Sequence, residues 1–182
     1  MVDDEKTFTK VKHPIMKFPY RSPLDIVKAI EHIIKGKVVC DIGCACGDIL
    51  FEMKDLCEDI IGVELNTRFK EKINNLGLDR SFIKWGDLFE IGIPEADVYF
   101  LWISPSKDEN KEIIDRLKTG SIIIDVTSAI ELFNDFDELE LLEKFEYEYN
   151  ESEYNGTEPH ASGLPQFNPI GSRFVRIYRK NK

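Results

Sequence analysis

At 182 residues the chain matches a single domain, long enough to bury a sizeable core. A composition of 42% hydrophobic and 32% charged residues, with 8 Pro and 11 Gly, excludes a disordered or collagen-like polymer. The formal net charge of −10 leaves no basic field to condense onto phosphates, which argues against a general nucleic-acid binder.

Residues 1–21 are polar with scattered aromatics and form an N-terminal arm. The opening MVDDEKTFTK lacks the basic-then-apolar order of a signal peptide, and no apolar run reaches the ~18–20 residues of a membrane span. A cytoplasmic protein with no membrane partner is expected. Ser22-Pro23-Leu24-Asp25 supplies an N-cap, a first-turn proline and an early acid; Ile26, Val27, Ile30, Ile33 and Ile34 follow at helical spacing, ending near Gly36. Lys37–Ile42 is a short apolar run before a glycine-containing turn, and Asp48–Leu56 has helical character. A second strand over Asp59–Leu65 leads into a helix from Asn66-Thr67 to a cap at Gly77. Two more strands are predicted over Ser81–Gly86 and Ala96–Ile103. A helix over Asp108–Lys118 follows, and then a fifth strand over Ser121–Thr127 whose nearly continuous Ile and Val suit burial on both faces.

Such alternation argues for a parallel sheet covered by helices on both sides. Beyond it, Glu131–Leu142 reads as an acidic helix. Lys144–Tyr149 and Arg173–Tyr178 alternate like strands around a Gly, Pro, Asn and Ser-rich stretch at 155–172. The expected fold is therefore α/β: a Rossmann-like, seven-stranded, mostly parallel sheet with helices on both faces and a C-terminal antiparallel strand pair. It forms one domain over 1–182, with a core at 22–128 and a C-terminal helix, strand pair and long loop at 129–182. If the sixth strand runs parallel to the first five, the long loop overhangs the edge that carries the first turns, where it would serve substrate recognition.

Val38-Val39-Cys40-Asp41-Ile42-Gly43-Cys44-Ala45-Cys46-Gly47 is the densest feature. Small residues at 43, 45 and 47 let a ligand approach backbone amides where a helix begins. A dinucleotide fingerprint places its third glycine three residues after the second, whereas this turn reads G-x-A-x-G with an acid two residues earlier. A P-loop would need Gly-Lys-Ser/Thr. Four cysteines crowd into Cys40–Cys57 without a CxxC pair, so reduced thiols and no metal are expected.

The acid followed by a small-residue turn resembles the first motif of class I S-adenosylmethionine-dependent methyltransferases, acid then G-x-G-x-G, with Ala45 in place of a glycine. Glu64 stands 21 residues after Gly43 at the end of the second strand, and Asp87 follows the third. By resemblance, Asp41 lies near the methionine amino group and Gly43, Cys44, Ala45 and Gly47 shape the wall beside it. Glu64, with Leu65 next to it, holds the ribose, Asp87 and Leu88 bracket the adenine, and Tyr20 or Arg21 closes over the cofactor. A narrower likeness to small archaeal and bacterial members related to protein-lysine methyltransferases rests on Phe18–Pro23, Gly86–Phe89 and Ala96–Val98. Trp102-Ile103-Ser104-Pro105-Ser106 partly resembles the motif of enzymes that methylate amino nitrogens, which makes Ser104 an amine-orienting candidate. His160, with an ordinary pKa near ~6.5, is a candidate base.

The resemblance implies an enzyme moving a methyl group from S-adenosylmethionine to an acceptor, a nitrogen of a protein lysine or a small amine. Two readings stand beside it: a non-catalytic S-adenosylmethionine-binding sensor or partner subunit, and a NAD-binding oxidoreductase.

Overall fold

The computed structural model describes residues 26–75, 77–101, 106–127, 133–150 and 170–182. The chain enters with two short helices, α1 (Ile26–Ala29) and α2 (Glu31–Ile34), broken at Ile30, where φ is −105° and ψ 5°. Ile26, Ile30 and Ile34, four residues apart, are nevertheless all fully buried, so the two turns act as one apolar stripe. The segment ends where expected, with Gly36 at φ +67°.

Strand β1 (Val38–Ile42), helix α3 (Asp48–Met53), strand β2 (Asp59–Glu64) and helix α4 (Arg68–Asn75) follow in alternation. Strand β3 (Ile83–Trp85), the single-turn helix α5 (Leu88–Ile91), strand β4 (Val98–Leu101), helix α6 (Lys107–Arg116) and strand β5 (Ile122–Thr127) complete the series. Sequence reasoning missed α5, since four residues are too few to show a period. Ser106 closes a capping box with Glu109 at the start of α6, satisfying donors that the first helical turn leaves open.

The sheet has seven strands in the order β3-β2-β1-β4-β5-β7-β6. The first five are mutually parallel; β7 (Ile170–Lys180) is antiparallel to β5 and to β6 (Leu139–Asn150). Side chains alternate between two cores. On one face Val39, Val98, Phe100 and Ile124 meet helices α1 to α4 through Ile30, Leu50, Met53 and Ile73. On the other, Cys40, Tyr99, Leu101 and Ile123 meet Leu88, Ile113, Ile114, Phe133 and Phe136. Central parallel strands are thus largely apolar on both sides, with Asp41 in β1 and Asp125 in β5 the buried acids among them.

One element is corrected. The expected helix over Glu131–Leu142 is absent among the described residues: 133–138 form turns and β6 begins at Leu139. Phe133 and Phe136 are buried against each other and Tyr178, with ring centroids 5.8 Å apart for Phe133 and Tyr178, so a pair spaced by three anchors a turn. The register then shifts between Leu141 and Glu143. The bulge inserts Leu142 and places leucines at 139 and 142, a spacing that imitates a helix. Because β7 is antiparallel to both neighbours, β6 runs parallel to β1–β5, as the loop argument required. Its last residue, Asn150, stands at their carboxyl edge.

Candidate functional site

The carboxyl ends of β1, β2, β3 and β4 lie in register, with Ile42 opposite Val63 and Leu101, and Glu64 opposite Trp85. This edge is where open parallel sheets bind ligands. The turn after β1 folds onto β2: the amides of Gly43 and Cys44 both donate to the Val63 carbonyl, at 2.9 and 3.2 Å. Gly43 and Gly47 have φ of +84° and +71°, and between them Ala45 adopts +50°, the one non-glycine residue to do so among those described. Gly47 is further constrained, because a Cβ there would fall 2.7 Å from Phe82 Cε2.

Glu64 gathers the turns. It is 8% exposed, and its carboxylate accepts from the Ala45 amide at 2.8 Å and from the Asn66 amide at 2.7 Å. Its own carbonyl accepts from Gly86 N–H at 2.9 Å. One acid therefore joins the turns that leave β1, β2 and β3. Asp87, at the third turn, N-caps α5 by accepting from the Phe89 amide at 2.8 Å. Leu88, next in sequence, is buried, whereas Leu65, just past the end of β2, is 66% exposed.

Asp41 is the most unusual group. It is buried, and its Oδ1 has no hydrogen-bond partner among the described residues. Burial pushes its pKa up to about 8, with the nearby Glu64 charge adding to the effect. A carboxyl oxygen kept dry and unpartnered is costly, and such a site favours a cationic donor that arrives with a ligand. Around it, burial and the Asp41 charge push the Cys40 thiol up to about 12 and raise Cys44 well above the usual thiol range. No disulfide links Cys40, Cys44, Cys46 and Cys57, and the buried thiols of Cys40 and Cys44, held neutral, act beside the turn as packing groups and not as nucleophiles.

The structure thus brings Asp41, Gly43, Cys44, Ala45, Gly47, Glu64, Leu65, Asp87 and Leu88 to one sheet edge. Tyr20, Ser104 and His160 lie outside the described residues, as do Arg21, Trp102 and residues 155–169 of the expected 155–172 loop, whose last three residues belong to β7. Sequence reasoning missed Arg80. It is buried before β3 and reaches across to donate from Nε to the Cys46 carbonyl at 3.1 Å. A single arginine three residues ahead of a strand carries no motif, so nothing in the sequence marked it.

No family model matches the chain, and no curated protein matches it. Solved structures do. A protein of Pyrococcus horikoshii provisionally assigned as an RNA methyltransferase is 16% identical, with a TM-score of 0.60 over 90% of this chain and 88% of the other. A tRNA methyltransferase of M. jannaschii is 17% identical with a TM-score of 0.61, matching 90% of this chain but 51% of its own. A variant of MtNAS in complex with S-adenosylmethionine is 16% identical with a TM-score of 0.56, over 86% of this chain and 61% of the other. The shared property is the fold: this chain has a seven-stranded α/β architecture in common with these structures.

Proposed function

We propose that this chain is an enzyme that uses S-adenosylmethionine to methylate an acceptor. The observation that carries the reading is the unpartnered, buried carboxyl oxygen of Asp41 beside a turn of three consecutive odd-numbered residues with positive φ, tied to Glu64. These residues fit the cofactor. Asp41 would receive the α-ammonium group, the Gly43–Gly47 turn would admit the amino-acid portion against backbone, and Glu64 would accept from the ribose hydroxyls with its remaining lone pairs. Leu65 and Leu88 would flank the base and Asp87 would accept from its amino group. When bound, S-adenosylmethionine supplies a methyl group already activated by its sulfonium. What the protein adds is alignment and exclusion of water.

The acceptor we propose is a nitrogen. Ser104-Pro105, which follows β4 in the sequence, supports an amine such as a protein lysine, with Ser104 orienting it, His160 available as a base and Tyr20 closing over the cofactor. A second reading, an RNA acceptor, is favoured by two neighbours named for action on RNA; the net charge of −10 weighs against a broad RNA-binding face but not against a local one. The spacing of the first turn disfavours NAD.

Calorimetric titration with S-adenosylhomocysteine, with NAD in parallel, tests the donor without knowledge of the acceptor. Saturable binding of S-adenosylhomocysteine alone, micromolar and so about −8 kcal/mol, is the expected result; binding of NAD alone, or of neither, would end the reading. Methyl incorporation into a screen of peptides, amines and RNA then separates an enzyme from a non-catalytic binder and lysine from RNA.

A further inference from the structure

We propose that Arg80 is a positioning residue for the cofactor turn, acting through Cys46 and Asp48 to hold Gly43–Gly47 in its binding shape. The inference rests on the reading of this edge as an S-adenosylmethionine site. Arg80 comes from the segment between α4 and β3, yet its guanidinium, with the side chain 3% exposed, sits beneath the turn after β1. Nε donates to the Cys46 carbonyl at 3.1 Å, Nη2 approaches Asp48 Oδ1 at 3.5 Å, and Nη1 donates to the Asp79 carbonyl at 3.0 Å. The guanidinium lies 4.2 Å from the Phe51 ring centroid and 5.9 Å from that of Phe82. Phe82 is also the side chain that leaves no room for a Cβ at Gly47.

The partners determine what this cation does. Cys46 is the last residue before Gly47, and Asp48 opens α3, so the planar fork grips the turn at the point where it becomes helix. That turn needs holding. Its glycines at 43 and 47 have wide conformational freedom, and Ala45 occupies a left-handed conformation that an L side chain resists. Glu64 restrains the turn from the ligand side, through the Ala45 amide. Arg80 restrains it from the core side, through the Cys46 carbonyl. The Ala45 amide belongs to the 44–45 peptide and the Cys46 carbonyl to the 46–47 peptide, so the two clamps hold the peptide planes on either side of the 45–46 bond.

The test compares wild type, Arg80→Gln, Arg80→Lys and a control, Ile114→Ala, whose side chain is fully buried on the other face of the sheet. S-adenosylhomocysteine affinity is measured by calorimetry, amide exchange of residues 43–47 in the free protein by NMR, and Tm by calorimetric scan. Arg80→Gln should bind at least about tenfold more weakly and exchange its turn amides at least about tenfold faster, the scale set by losing hydrogen bonds from a charged group. Arg80→Lys keeps the charge without the fork and should lose about threefold or more; it carries the test alone if Arg80→Gln does not fold. Ile114→Ala should lower Tm while leaving affinity and turn exchange unchanged. Wild-type affinity in the Arg80 variants, or an equal affinity loss in Ile114→Ala at matched Tm, would overturn the assignment and leave the donor reading intact. A wild-type protein that binds no S-adenosylhomocysteine would overturn both.

Discussion

Asp41 and Glu64 are two acids with opposite circumstances. Asp41 is held with a pKa of about 8 against an ordinary 3.8. The folded chain therefore keeps a proton that the unfolded chain has lost across that interval. The sign follows: its contribution to stability is complete below the unfolded value and is lost as pH rises through about 8. The Asp41 contribution to the Tm of the ligand-free protein should fall between about pH 4 and 8 and level off above, and Asp41→Asn should flatten that fall. An arriving ammonium reverses the preference, so S-adenosylhomocysteine binding at neutral pH should release a proton and tighten from about pH 6 to 8. Calorimetry in buffers of different ionisation enthalpy reads this directly, and a buffer-independent heat would remove Asp41 from the ammonium site. Glu64, by contrast, is satisfied by two backbone amides. Glu64→Gln must turn an NH2 toward one of those donors, and should cost about 1–3 kcal/mol in ligand-free stability and a similar amount in S-adenosylhomocysteine affinity. Unchanged urea midpoint and affinity would exclude both roles. These acids were legible in the sequence because strand ends fix their spacing; Arg80 was not, because its partners are 32 and 34 residues away.

Elements were legible wherever a period ran cleanly. The five parallel strands and helices α3, α4 and α6 lie where apolar spacing and caps put them, with ends differing by a few residues. The period failed at β6, where the bulge at Leu142 superimposes a helix-like spacing on a strand, and at α5, which is one turn long. What ends α6 was also invisible. Lys180, from β7, is 6% exposed, and its Nζ donates to the carbonyls of Ile114 at 2.6 Å, Leu117 at 2.5 Å and Asp115 at 3.4 Å. A cation from the C-terminal strand thus donates to the last carbonyls of a helix more than sixty residues earlier, at the end where the helix dipole favours positive charge. Lys180→Met preserves the buried stem and removes the donors, so it should destabilise by about 1–3 kcal/mol. Urea unfolding measures the loss, and exchange at the last turn of α6 should rise with it.

At the scale of the whole molecule, the sheet joins two parts of different character: five parallel strands that carry the site, and an antiparallel pair that ends the chain. Their seam is β5 against β7, and at its centre Asp125 faces Arg176 in register, 3.5 Å apart, the two side chains 0% and 1% exposed. Neither residue stands out in the sequence. Asp125 interrupts an Ile and Val run and Arg176 sits in an alternating strand, so each alone reads as a surface charge; only the pairing of β5 with β7 makes them one buried unit. A buried ion pair adds little net stability, but losing one member leaves the other charge in a dry core. Arg176→Met should therefore destabilise by about 3–5 kcal/mol, whereas Arg176→Met combined with Asp125→Leu should recover most of the loss. If the seam joins one cooperative unit, urea unfolding followed at the parallel strands and at β6–β7 will give coincident transitions in the wild type and the double variant. A loss in Arg176→Met confined to the β6–β7 probes, with the parallel strands unfolding at the wild-type midpoint, would instead show that the antiparallel pair is an appendage to a core that folds without it.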